Sequence, residues 1–435
     1  MKGTDIRIRE VVITPVAFPD PPILNSAGVH QPWALRAIVE LRCGDGLIGL
    51  GETYGDAPHL ELLRSAGATL AGLDPFDTNG LWRRVCEALG GTDSPDRHGL
   101  TGGSSPQKTA LRVFSPFEVA CLDLQGHLIG RPVADLLGGA VRDRVPFSAY
   151  VFYKWDAHPP ADGPASLVGA LPPVDDPYPE AIDPAGIVAQ AHRLIDQYGF
   201  GSIKLKGGVF PPDEEIAAIR ALREAFPGLP LRLDPNAAWS VETSLRVAEE
   251  TDGLLEYLED PTPGIPGMAV VAAQAPMPLA TNMCVVSPDD IAPGFTQGAV
   301  GVVLADHHYW GGLRRSAELA AICRTWGVGV SMHSNSHLGI SLAAMTQLGA
   351  ALPELTYAAD THTPWQCGVD VLERPLPITG GAVALPDGPG LGVSLDRDAL
   401  ARMHENFVRC AIRERDDTSY RRIFEPGYTK RRPRW

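Results

Sequence analysis

The chain has 435 residues, 44% of them apolar, and a formal net charge of −15. This apolar content supplies a packed core and excludes a disordered chain. The negative charge excludes a typical nucleic-acid binder and gives an anionic ligand no long-range attraction. Any acidic ligand therefore needs a local positive site, either a metal ion or basic side chains gathered by the fold. The length suits several domains or one large α/β barrel with an attachment.

Seven cysteines, Cys43, Cys86, Cys121, Cys284, Cys323, Cys367 and Cys410, are odd in number, far apart and free of any CxxC pair. That spacing argues against a disulfide framework or zinc ribbon and for reduced thiols in a cytoplasmic protein. The N-terminal residues carry no apolar run of signal-peptide length, and no stretch is long enough to span a bilayer, so no membrane association is expected.

In chain order, residues 6–18 and 35–50 read as strands, the second folding into a hairpin around Cys43-Gly44-Asp45-Gly46. The clearest helix start follows at Ser115-Pro116-Phe117-Glu118, with serine at the N-cap, proline next and glutamate completing a capping box. Phe117, Cys121, Leu124 and Leu128 would form its buried stripe. Roughly the first third thus reads as an α+β module.

From about residue 146 strand and helix alternate. Eight strand-like runs occur, at 146–153, 201–206, 230–234, 254–259, 278–282, 301–305, 327–332 and 355–360. Between them lie helical patterns from Asp183-Pro184 (Ile187, Ala191, Leu194 and Tyr198 on one stripe), from Asp213 to Phe226, and from Arg315 to Trp326 with Leu319, Ile322 and Cys323 inward. Parallel strands with helical crossovers favour a closed α/β barrel whose chemistry sits at the strands' C-terminal ends. The segment 156–180 reads as a long surface loop, residues 398–412 as a helix, and the tail Lys430-Arg431-Arg432-Pro433-Arg434 is basic.

The second of these strands, Ile203-Lys204-Leu205-Lys206, places two lysines on the face opposite Ile203 and Leu205. Crowding and burial would lower a lysine pKa toward the range of a base. The following strands end in Asp234, Glu259, Asn282, Asp306 and His333. Each alone could be a turn former or a surface group. Together, Asp234, Glu259 and Asn282 offer oxygen ligands from consecutive strand ends, which suits Mg²⁺ and not zinc.

His333 and His337 have the spacing of a helical zinc pair, but His333 falls at a strand end. A His333–Asp306 pair is more economical, the carboxylate fixing the tautomer. His307 and His308 stand equally close to Asp306 in sequence, as core or loop histidines. A lysine on one side, a histidine on the other and a divalent cation between them suit removal of a proton next to a carboxylate.

The runs Lys-Leu-Lys-Gly-Gly (204–208), Leu-Asp-Pro-Asn-Ala-Ala-Trp (233–239), Glu-Asp-Pro (259–261), Ala-Thr-Asn-Met (280–283), Leu-Ala-Asp (304–306), His-Ser-Asn-Ser-His (333–337) and Asp-Thr-His (360–362) span most of the chain. In them the sequence resembles the enolase superfamily, and within it the glucarate dehydratases of the mandelate-racemase-like branch. That resemblance implies an α+β capping domain at 1–145, completed by 400–435, on a (β/α)7β barrel at 146–399. It implies Mg²⁺ held by Asp234, Glu259 and Asn282, Lys206 as one base with Lys204 supporting it, and the His333–Asp306 dyad on the opposite face of the substrate carbon. His30, Tyr150, Asn236, Asn335, His362 and Arg415 would contact a sugar diacid such as glucarate. Ala237 stands where the common pattern has glycine.

The expected reaction is dehydration to a keto-deoxy diacid, with epimerisation of glucarate and idarate as a related outcome. The alternatives are a dehydratase for a different acid sugar and a non-catalytic sugar-acid-binding homologue. The expected partners are a small-molecule sugar diacid and further copies of the chain as a homo-oligomer.

Overall fold

Alternating apolar residues near the N-terminus form a three-stranded antiparallel meander in a computed structural model that describes residues 6–44, 46–99, 102–158 and 176–435. Its strands are β1 (Ile8–Pro19), β2 (Trp33–Cys43) and β3 (Ile48–Tyr54). Helix α1 (Pro106–Ile129) lies across this sheet. The approach is so close that a Cβ on Gly49 or Gly51 would meet the carbonyl oxygens of Ala120 and Pro116 at 2.1 and 2.2 Å. Only glycine fits there.

The start of α1 differs from the expected one. Ser105 caps it, accepting from Lys108 N at 3.1 Å, and Pro106 opens the first turn. Ser105-Pro106 and Ser115-Pro116 carry the same local signal, and packing decides between them: every residue from Thr109 to Gly126 is buried, so the extra turns are worth forming. Ser115 Oγ instead donates to His307 O at 2.8 Å, and Glu118 accepts from Leu313 N at 2.8 Å. Leu128, expected on the buried stripe, is only partly covered.

The alternating region folds as one seven-stranded parallel sheet in chain order. Its strands are β4 (Ala149–Phe152), β5 (Ile203–Lys206), β6 (Leu231–Asp234), β7 (Tyr257–Glu259), β8 (Leu279–Thr281), β9 (Val302–Leu304) and β10 (Gly329–Ser331). The eighth expected run, 355–360, is not a regular strand, yet it closes the sheet into a barrel. Thr356 N donates to Val330 O at 3.0 Å and Asp360 N to Met332 O at 2.8 Å, while Ala359 N donates to Pro146 O at 2.9 Å. The ladder is interrupted where Arg232 Nη1 and Ser331 Oγ take the Ala358 carbonyl, at 2.7 and 2.9 Å.

Ile203, Leu205, Leu231, Leu233, Leu258 and Leu279 face outward into the main core, against helices that include α2 (Pro184–Tyr198) and α3 (Pro212–Ala225). Asp183 caps α2, accepting from Gly186 N at 2.7 Å, and Ile187, Ala191 and Leu194 are buried while Tyr198 is partly exposed. In α4 (Leu313–Trp326) Leu319 and Cys323 are buried, but Ile322, expected inward, is 38% exposed. It lies about 60° round the helix from Leu319, at the edge of the stripe. The alternate residues, Lys204, Lys206, Arg232, Asp234 and Glu259, face the barrel interior, where Arg232 packs on Tyr257 of a small apolar cluster that also holds Ala280, Val302 and Leu304.

After the barrel the chain returns to the cap. In the helix Arg397–Arg409, His404 Nδ1 donates to Pro15 O at 2.7 Å. The basic tail then crosses the barrel mouth, Arg434 N donating to Ala238 O at 2.6 Å. Among the described residues all seven cysteines are free, and no helix is long and apolar enough to cross a membrane.

Candidate active site

Two strand-end lysines meet a ring of carboxylates. Lys204 Nζ donates to Glu259 Oε1 and Asp360 Oδ2, each at 2.7 Å, and lies 3.4 Å from Asp234 Oδ2. Lys206 Nζ donates to Asp234 Oδ2 at 2.6 Å. Neither lysine faces solvent freely, since their relative exposures are 0% and 7%. The expectation of a lowered lysine pKa fails for Lys204: burial pushes it down, but Asp360 and Glu259 outweigh burial and hold it well above the usual value. Asp234 is held below the carboxylate range by Lys206 and Lys204 against the effect of burial. Glu259, buried beside Asp234, is pushed well up.

The third oxygen of the expected metal set shows the same excess of acceptors. Asn282 Oδ1 faces Glu259 Oε1 and Asp260 Oδ2 at 3.1 Å each. An amide oxygen against two carboxylate oxygens is unfavourable unless the amide turns to present its nitrogen or a cation lies among them. As three buried side chains that each offer an oxygen from a successive strand end, Asp234, Glu259 and Asn282 fit a hard divalent cation. Asp260 stands behind them, accepting from Thr281 Oγ1 at 2.5 Å and Asn282 N at 2.8 Å, and burial raises its pKa to about 7. The backbone around this cluster is strained, with φ of 55° at Asn236, 60° at Ala237 and 38° at Asp260. A glycine would meet no such strain at position 237.

Asp306, His307 and His308 also bring ligand atoms within 4.8 Å of one another. Both nitrogens of His308 are already engaged, one of them 2.8 Å from the Arg36 guanidinium, which disfavours a cation there. The oxygen set suits a cation better.

Across the barrel, His333 Nδ1 lies 3.0 Å from Asp306 Oδ2, so the ionised carboxylate accepts the Nδ1 proton and Nε2 is left for the cleft. His308 Nδ1 takes the other carboxylate oxygen at 2.7 Å, and the ring of His307 stacks on that of His308 at 3.9 Å. His337 does not share a site with His333, because its nitrogens lie 3.0 Å from Leu338 O and 3.2 Å from Thr361 Oγ1. Burial lowers the His337 pKa to about 4, with Glu52 opposing. A histidine depressed in the fold is protonated first in the unfolded chain, so its contribution is complete above about pH 6.5 and is lost as pH falls toward 4. His337→Gln should make thermal stability fall less steeply over that window, by up to ~1.4 kcal/mol per pH unit. An unchanged slope would show that His337 takes up no extra proton on unfolding.

A cleft open to solvent is lined by Lys206 and His333 together with His30, Tyr150, Asn236, Asn335, His362 and Arg415. Asp234, Glu259, Asn282, Lys204 and Asp306 stand behind this lining. Arg415 spans the wall near His30: it donates to Asp417 Oδ2 at 2.8 Å, to His30 Nε2 at 2.7 Å and to Asn335 Oδ1 at 3.1 Å. Tyr150 and His362 meet edge to face at 5.1 Å.

The sequence reasoning missed Arg432, which reaches into the cleft from the tail and donates to Asn236 Oδ1 at 2.7 Å and Ser26 Oγ at 3.1 Å. The basic run 430–434 was the available signal, but nothing local says that the tail crosses the barrel mouth. Missed too were His98, 3.2 Å from Arg415 Nη1, and Arg36. Of the loop expected at 156–180, residues 159–175 lie outside the described residues.

Residues 186–399 match the enolase C-terminal domain-like family. Over 440 residues the chain is 54% identical to a probable glucarate dehydratase of Streptomyces coelicolor, with 99% of each covered. The chain belongs to the enolase superfamily and is an enzyme of that family. A solved enolase of Thermobispora bispora, complexed with magnesium and formate, is 62% identical, with a TM-score of 0.94 over 99% of this chain and 100% of that one. Another, from Mycobacterium smegmatis and complexed with tartrate, is 57% identical, with a TM-score of 0.93 over all of both chains.

Proposed function

We propose that the protein is a Mg²⁺-dependent hydro-lyase for an acid sugar, with glucarate or its epimer idarate as the substrate that fits best. One observation carries the reading: Lys206 and His333 line a single cleft from strands that are not neighbours, in front of the buried oxygen donors Asp234, Glu259 and Asn282. The probable glucarate dehydratase at 54% identity supports the reaction class. The relatives bound to magnesium and to tartrate, a hydroxy diacid, support the cofactor and the substrate class.

Asp234, Glu259 and Asn282 hold the ion, which when bound supplies stabilisation for the negative charge that develops on the substrate carboxylate. Lys206 accepts the proton alpha to that carboxylate, and Lys204 offsets part of the negative charge of Asp234, Glu259 and Asp360 beside it. His333, protonated on Nε2, gives a proton to the beta hydroxyl, which leaves as water. The resulting enol ketonises to a keto-deoxy diacid. Return of a proton on the face opposite to its removal gives the epimer.

His30, Tyr150, Asn236, Asn335, His362 and Arg415 orient the chain of hydroxyls. A panel of acid sugars supplied with Mg²⁺, with detection of keto-deoxy product, tests the reading; turnover of no diacid at all would sink it.

Arg432 has no carboxylate partner among the described residues, and its guanidinium faces the cleft beside Asn236. Arg432→Met should raise KM by roughly 10- to 100-fold through loss of one charged hydrogen bond of ~1.5–3 kcal/mol, with kcat changed less. Steady-state kinetics on the preferred diacid decides, and an unchanged KM would place Arg432 outside the substrate.

A further inference from the structure

A buried chain of hydrogen bonds runs from the cap to His333. Arg36 on β2 donates through Nε to Glu52 Oε1 at 2.8 Å, and its guanidinium lies over the Tyr54 ring at 4.5 Å. Glu52 in turn accepts from Leu338 N and Ser341 N at 2.8 Å each, where the barrel helix Gly339–Ala351 begins. The guanidinium plane is thereby held between the cap sheet and that helix. Arg36 Nη2 then reaches His308 Nε2 at 2.8 Å.

That contact settles the state of His308. Guanidinium nitrogens donate and never accept, so the His308 Nε2 facing Arg36 carries no proton. Ser341 Oγ, 2.9 Å from the same nitrogen, could accept an Nε2 proton, but such a proton would point into the Arg36 N–H. His308 is therefore neutral with its proton on Nδ1, which donates to Asp306 Oδ1 at 2.7 Å. The backbone N–H of His308 adds a second bond to that oxygen, at 3.0 Å. Asp306 Oδ2 is left to His333 Nδ1. Arg36, Glu52, His308 and Asp306 are all buried and stand outside the cleft lining, so bulk water offers none of them an alternative partner.

We propose that the Arg36–Glu52 pair of the cap sets the tautomer of His308 and through it holds Asp306 as the acceptor that orients His333. Arg36 and His308 are then positioning residues: they act through Asp306 and do not touch the substrate. The consequence is that the histidine-side acid/base group is correctly oriented only while cap and barrel are docked, because Arg36 and Glu52 come from one and His308 and Asp306 from the other. The inference rests on the reading of His333 as that group.

The tautomer can be read without any turnover. In the full-length protein labelled with ¹⁵N at histidine, His308 should show a protonated Nδ1 and a bare Nε2, assigned by loss of the signal in His308→Asn. An Nε2–H or doubly protonated His308 overturns the proposal. Arg36→Lys, which keeps a cation for Glu52 but shortens the reach, should bring up the second tautomer; an unaltered spectrum also counts against it.

The catalytic arm follows alpha-proton exchange in D₂O on each face. His308→Phe should slow exchange on the histidine face about 100-fold while the Lys206 face changes by less than about threefold. His308→Asn, whose amide nitrogen replaces Nδ1, should recover to within about tenfold of the natural protein. Equal losses on both faces, or none, overturn the positioning role. If His333→Asn itself leaves exchange on its own face intact, the reading of His333 fails and the positioning role falls with it, while the tautomer measurement still reports on the Arg36–His308 contact.

Discussion

Lys206→Met is expected to abolish alpha-proton exchange on one face of the substrate carbon and to lower kcat by ~10²–10⁴-fold, the usual range for loss of a positioned acid or base. His333→Asn should do the same on the other face. The two losses are separable because Lys206 and His333 come from strands β5 and β10, which do not pair with each other, and each has its own carboxylate, Asp234 or Asp306. Exchange followed by proton NMR in D₂O reads each face independently. In the lysine variant, dehydration of the epimer presented to His333 should partly survive. If both faces continue to exchange unchanged in Lys206→Met, the lysine is not a base.

The second large effect is on stability. Lys204 is fully buried and sits among Glu259, Asp360 and Asp234. Lys204→Met leaves Glu259 and Asp360 without their cation while Asp234 keeps Lys206, and breaking a buried ion pair of this kind costs roughly 3–5 kcal/mol. The thermal midpoint should drop accordingly. Mg²⁺ should restore much of the loss, since it neutralises the same oxygens, and saturation at about 100 times Kd adds ~2.7 kcal/mol to a protein that binds it only when folded. Acidification should also help this variant, because protonating Glu259, which burial and Asp234 already push well up, relieves the repulsion. A midpoint insensitive to the substitution would show that the lysine does not hold the cluster together. A variant midpoint insensitive to Mg²⁺ would count against the oxygen set as its site.

Much of the site was legible because a parallel barrel makes position along the chain predict position in space. The strand ends carrying Lys204, Lys206, Asp234, Glu259, Asn282, Asp306 and His333 can be read by counting strand and helix alternations, and closure brings them to one mouth. The glycine usual at position 237 could also be understood afterwards, from the left-handed backbone that Ala237 adopts there.

Where reading failed, the decision lay in contacts distant in sequence. Ser105 and Ser115 offer equal caps, and burial against the cap sheet selected the earlier one. Lys204 looked like a lysine whose pKa crowding would depress. The carboxylates that reverse the shift come from residues 55 and 156 positions away. His308 reads as a core or loop histidine and is buried as one, but its partner at Nε2, Arg36, stands 272 positions away and is set only by the fold. Arg432 reaches Asn236 across 196 positions for the same reason.

The sequence by itself determined the alternation of strand and helix, its order and the residue types at each strand end, because periodicity is a local property of the chain. Only the tertiary structure decided which carboxylate neutralises which lysine, which tautomer His308 holds, and that the basic tail lines the cleft. Those outcomes depend on distances between segments far apart in the chain, and on burial that makes each unpaired charge expensive.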